Sequence, residues 1–162
     1  MMNKILLKKI STNLVILIIV LLIDRLTKYF IINLAEIENS VDIYVTSYLN
    51  LYLIWNKGIA FGMLSSGEGV IYNFITGAIG IITLIIFYMI WINNNIQRFF
   101  LVLIVGGALG NFYDRLVYKA VPDFIDLHFY GYHWFVFNVA DIFISIGIFC
   151  LIIHELFFYK KI

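Results

Sequence analysis

From Val70 to Ile92 the chain runs for 23 residues without a single Asp, Glu, Lys or Arg. At about 1.5 Å per residue, a helix of that length matches the roughly 30 Å hydrocarbon core of a bilayer. Composition says the same of the remainder. Of 162 residues, 63% are hydrophobic and only 13% charged, whereas soluble domains carry about 25% charged residues. Most of the surface therefore needs lipid around it. The length leaves room for one compact domain and no second, soluble one.

Three further runs complete the plan. Lys4, Lys8 and Lys9 precede the apolar stretch Leu14 to Ile23, the layout of a secretory signal peptide. No small-residue cleavage site follows; Asp24-Arg25-Leu26-Thr27-Lys28 leads back into Tyr29-Phe30-Ile31-Ile32, so the segment reads as a retained first helix. Asn93-Asn94-Asn95 ends the second. Phe99 to Tyr113 is uncharged over 15 residues, too short to span unless Asp114 and Arg115 fall at its embedded end. Trp134 to Ile153 supplies a fourth run of 20 residues, with Asn138 and Asp141 near its start.

The expected fold is an all-α integral membrane protein of four transmembrane helices, at about 14–32, 70–92, 96–115 and 134–155, in one domain over 1–162. Asn33 to Gly69 is too long for a turn. Its Val, Ile, Tyr and Leu between Val41 and Trp55 predict a small extracytoplasmic β element. Four crossings leave both termini on one side. Six Lys and Arg lie on that side and five on the other, two of the five embedded beside acids, which favours cytoplasmic termini.

Charged residues in membrane helices mark functional sites by default. Asp24 and Lys28 end the first helix, Asn111, Asp114 and Arg115 end the third, and Asn138 and Asp141 begin the fourth. All reach the outer face, where the loop carrying Asp123 and Asp126 also lies. Gly107, Asn111, Asp114 and Arg115 form one helical stripe. Lys28 and Arg115 alone would also fit ion pairs that snorkel to the interface. Asp141 does not, having no basic residue within a turn. If the loop after the third helix folds back, Asp123 and Asp141 meet, and close carboxyls in a low dielectric share a proton. That pair suits water attack on a peptide bond; the same acids also suit a proton or ion pathway.

Other chemistries have less support. The net charge of +1 and the absence of a basic cluster exclude nucleic acid as a partner. Cys150 is the single cysteine and permits no internal disulfide. His128 and His133 sit in an aromatic, interfacial stretch without the spacing of a zinc pair, His154 and Glu155 fall at the opposite face, and no metal or cofactor is expected. Gly106 and Gly110, and again Gly77 and Gly80, have the spacing of helix-packing positions. Asn56 to Gly62 reads as a tight, close-approaching loop.

Taken in order, these segments resemble the lipoprotein signal peptidase family, signal peptidase II. The resemblance rests on Asp24 with Thr27 and Lys28, the segment Asn56 to Gly62, Gly106-Gly107-Ala108-Leu109-Gly110-Asn111-Phe112-Tyr113-Asp114-Arg115, Val121-Pro122-Asp123-Phe124-Ile125-Asp126, and Phe137-Asn138-Val139-Ala140-Asp141. It implies an aspartyl endopeptidase of the bacterial inner membrane, its site near the periplasmic face, that cuts before a diacylglyceryl-modified cysteine and is blocked by globomycin. Its partners would be lipidated prolipoprotein signal peptides and membrane lipid, and it would act as a monomer. Asp123 and Asp141 correspond to the catalytic pair; Asp126 matches a position that is not catalytic. Asp24, Asn56, Gly107, Asn111, Arg115 and Asn138 match positions around the substrate and inhibitor site; Lys28 and Asp114, from the same embedded polar cluster, join them as substrate-binding candidates. Pro122 departs from the pattern and should stiffen the approach to Asp123.

Overall fold

The computed structural model describes the backbone of residues 2–58, 69–93 and 96–158, with side chains from residue 11 onward. Ile59 to Gly62 of the Asn56 segment, the Asn94-Asn95 part of the turn, and Lys160 and Lys161 lie outside the described residues. Among the described residues eight elements follow in order: α1 (Met2–Glu38), β1 (Asp42–Thr46), β2 (Leu49–Asn56), α2 (Gly69–Ile92), α3 (Gln97–Tyr118), β3 (Val121–Phe129), β4 (Tyr132–Phe137) and α4 (Val139–Phe158). Three of them, α2, α3 and α4, are long and apolar enough to cross a membrane. The apolar part of α1 is interrupted by Asp24, Arg25 and Lys28, and the helix is longer at both ends than the expected 14–32.

The centre of the bundle is α3, which packs against α1, α2 and α4. Inside the protein 56% of its apolar span is buried, against 22% for α2 and 11% for α4. Val70, Phe74, Leu84, Trp91, Phe149 and Leu156 are exposed on the outer helices, a surface suited to lipid. Close approach depends on small residues. A Cβ at Gly106 would strike Val20 of α1, and at Gly147 it would strike Ile104 and the Phe100 carbonyl of α3. Gly80 packs on the Phe112 ring, as its spacing predicts, but the expectation fails for Gly77, whose Cβ would meet open space.

The all-α expectation needs correction. Four antiparallel strands, in the order β1-β2-β3-β4, form one sheet, and the β element between α1 and α2 supplies only half of it. The other half is the hairpin β3–β4, closed by Tyr130 and Gly131, both at positive φ, the geometry of a two-residue turn that follows the strand twist. Trp134 to Phe137 thus belong to a strand, and α4 begins at Val139 rather than 134. A continuous apolar run cannot by itself be divided between buried strand and helix. Pro122 sits in β3 opposite Trp55 of β2, ahead of the part of β3 that pairs with β4 from Ile125 onward. Its missing N–H therefore leaves no gap in that pairing. Against the sheet, Phe124 packs with Ile31 of α1 and Val41.

Candidate functional site

Two sheet-level details place the polar groups. Tyr52 and Leu53 of β2 lie opposite the single Phe124 of β3, a bulge between the pairs Leu51 with Ile125 and Ile54 with Asp123. A one-residue shift of this kind moves all later side chains to the other face. It brings Asn56 onto the face of Asp123, and Asn56 Nδ2 donates to Asp123 Oδ2 at 2.8 Å. Asp126, three residues along a strand from Asp123, points from the opposite face.

The second detail is the start of α4. Asn138 caps the helix: its Oδ1 accepts from the Asp141 backbone N–H at 3.2 Å, while Asp141 Oδ2 accepts from the Asn138 backbone N–H at 3.1 Å. This reciprocal arrangement is a capping box. The remaining group of the cap, Asn138 Nδ2, donates to Asp123 Oδ1 at 2.6 Å. One asparagine thus bridges both carboxyl groups. Asp141 Oδ1 accepts from Asn111 Nδ2 at 2.8 Å.

Asp123, Asp141, Asn56, Asn111, Arg115 and Asn138 all line one cavity of about 310 Å³. Burial pushes the Asp123 carboxyl up to about 6, with the neighbouring Asp141 charge adding to it and the Asn138 and Asn56 bonds opposing it. Arg115 Nη2 donates to the Gly58 carbonyl, and Gly58 N–H donates to Asn56 Oδ1, so the end of β2 is tied to α3. Nε and Nη1 of Arg115 are buried without a partner among the described residues. An apolar groove of about 280 Å³ also reaches Asp141, between Leu127, Phe137 and Ile146.

Behind the cavity lies a largely buried charge network. Asp24, Lys28 and Asp114 are almost fully buried. Lys28 Nζ stands 2.7 Å from Asp114 Oδ2 and 2.8 Å from Asp24 Oδ1, the latter as an ion pair off the hydrogen-bond direction. Lys28 also donates to Asn111 Oδ1 at 2.8 Å, linking the network to Asp141. Arg25, not among the candidate site residues, closes it with bonds to Asp24 and Asp114. Asp24, Lys28 and Asp114 do not line the cavity, and Gly107 serves close packing, since a Cβ there would strike the Ala140 carbonyl and Ile144 of α4. Sequence reasoning missed Ser145, Ile144 and Phe135 to Phe137 as cavity residues; only Ser145, one turn beyond Asp141, carried a readable signal. At the far end Gln97 donates to Glu155, and His154 packs against Phe100.

Fold and site define a helical membrane protein that gathers two carboxyl groups in one cavity at the sheet end of its bundle. The family model for signal peptidase (SPase) II matches residues 16–157. The lipoprotein signal peptidase of Pelagibacter ubique (strain HTCC1062) is 66% identical over 160 residues, covering 99% of this chain and 96% of that protein. That of Ralstonia nicotianae (strain ATCC BAA-1114 / GMI1000) is 43% identical, covering 86% and 80%. Two solved structures of a bacterial membrane enzyme, obtained in meso at 1.9 and 2.3 Å, superpose with TM-scores of 0.75 and 0.74 at 32% and 30% identity. The first match covers 93% of this chain and 96% of that one, the second 94% and 95%. The chain belongs to the signal peptidase II family, a family of proteases.

Proposed function

We propose that this chain removes the signal peptide from prolipoproteins that already carry a diacylglyceryl group, cutting before the lipidated cysteine. The observation that carries the reading is the pair Asp123 and Asp141, bridged by Asn138 in a single cavity. Two carboxyl groups joined through one asparagine and opposing one another's charge hold one proton between them. The ionised member takes a proton from water, whose oxygen attacks the scissile carbonyl; the protonated member gives its proton to the carbonyl oxygen. In the second half the amide nitrogen takes up the transferred water proton, the C–N bond breaks, and the tetrahedral hydroxyl returns its proton to the pair. No metal or covalent intermediate is needed.

Asn56, Asn111, Arg115 and Asn138 hold the pair and the substrate backbone, while Asp24, Lys28, Asp114 and Gly107 fix α1, α3 and α4 around them. The apolar groove beside Asp141 suits a lipid chain. The enzyme works as a monomer in the inner membrane, with four crossings, both termini cytoplasmic and the sheet at the periplasmic face. The test is cleavage of a purified lipidated precursor in micelles. Asp123→Asn and Asp141→Asn, each correctly inserted, should lower turnover by about a thousandfold or more, and globomycin should block the wild type. Normal turnover by either variant would sink the pair. Proton movement in vesicles with an uncut precursor would favour a transport pathway instead.

A further inference from the structure

The hairpin β3–β4 carries a second group of convergent side chains, on the face of β3 opposite Asp123. Between the pairs Asp126 with Val136 and His128 with His133, Trp134 and Phe135 of β4 lie opposite Leu127 alone. With unbroken pairing, His128 would face Trp134 and His133 would point from the other side of the sheet. The bulge reverses this and sets His133 directly across from His128. Asp126, two residues before His128, shares their face.

We infer that Asp126, His128 and His133 form a binding site for a divalent transition-metal ion of the zinc class. One donor atom from each lies within 4.8 Å of the others. His133 Nδ1 is 2.8 Å and His128 Nδ1 3.8 Å from Asp126 Oδ2, which brackets the roughly 3.3 Å separating ligand atoms around tetrahedral zinc. Two imidazoles and a carboxylate suit that ion and leave a fourth position for water.

A simple Asp126–His133 hydrogen bond accounts for less. It leaves His128 Nδ1 buried without a hydrogen-bond partner among the described residues, and the same holds for Oδ1 of Asn50, directly opposite Asp126 on β2. Native proteins rarely tolerate such orphans together. A cation satisfies the nitrogen and takes the place of the hydrogen between His133 and Asp126, with the single proton of neutral His133 then carried on Nε2. Entry is open, because the His133 side chain is 58% exposed while those of Asp126 and His128 are 5% and 14% exposed. Since β3 carries Asp123 and β4 leads into Asn138, the ion clamps together the two strands that support the carboxyl pair. The inference does not depend on the substrate proposed above.

Zinc chloride titrated calorimetrically into the tag-free full chain in detergent micelles should fill one site per chain. Affinity should fall at least about tenfold in His128→Gln and in His133→Gln. A readout confined to the wild type guards against variants that lose the sheet. The chain has three histidines, and zinc should protect His128 and His133 from diethyl pyrocarbonate, mapped by mass spectrometry, while His154 reacts as before. No saturable uptake up to about 100 μM zinc, equal uptake by folded variants, or undiminished modification of His133 would each overturn the assignment.

Discussion

Asn138 donates its backbone N–H to one carboxyl and its side-chain Nδ2 to the other, so substitutions there report on positioning rather than on bond-making. Asn138→Ala removes the cap, at about 1 kcal/mol, together with the bond to Asp123; kcat should fall about 100-fold with KM much less affected. Asn138→Asp keeps a capping oxygen but adds a third carboxyl. The acid limb of the kcat/KM profile should then move upward by about one pH unit, a shift that a merely structural role would not produce. Asp123 permits a different measurement. Its carboxyl ionises near 6 in the fold against an ordinary 3.8, so its stabilising protonated form is fully present below 3.8 and is lost as pH rises through 6. Asp123→Asn does not titrate. Between pH 4 and pH 7.5 the wild type should therefore lose about 2 kcal/mol relative to the variant, read as a converging or crossing pair of Tm curves in micelles. Parallel curves would refute the burial of that charge.

At the level of elements, the glycines divide into those that set the site and those that do not. The Ala140 carbonyl opposite Gly107 is backbone and cannot rotate away. Gly107→Ala must push α4 from α3, a change worth about 1–3 kcal/mol, and displace Asp141; Gly77→Ala, facing open space, should leave activity unchanged. Assayed together, equal loss in both would disprove the packing role. These helices were largely legible beforehand. Uncharged runs located α2 and α3 within a few residues, and the isolation of Asp141 in an apolar run singled out a residue that lines the cavity. What the sequence hid was sheet geometry. Trp134 to Phe137 join the apolar run of α4 without a break, and neither bulge has a residue signature, although one of them puts Asn56 beside Asp123 and the other puts His133 beside His128. The Asn138 to Asp141 spacing was visible as a pair, and as a capping box it would also have located the start of α4.

Across the whole molecule, the embedded charge gathers at the sheet end of the bundle. The two acids and two bases of the buried network, Asp24, Asp114, Arg25 and Lys28, balance one another, and all lie toward the sheet. Lys28→Met would leave Asp24 and Asp114 with Arg25 alone, and losing one partner of a buried network costs about 3–5 kcal/mol; the variant should fail to accumulate. Orientation can be tested without disturbing this network. Both α1 and α3 run toward the sheet, α2 and α4 away from it, so the Tyr130 hairpin tip and Asn93 after α2 sit at opposite ends. Tyr130 is 93% exposed. The chain has one cysteine, so Cys150→Ser provides a clean background. In whole cells with a permeabilised outer membrane, a membrane-impermeant maleimide should label Tyr130→Cys, but reach Asn93→Cys only after the inner membrane is opened. Labelling of both from outside would overturn the proposed crossings, and the reverse pattern would put the carboxyl pair at the cytoplasmic face, away from exported substrates.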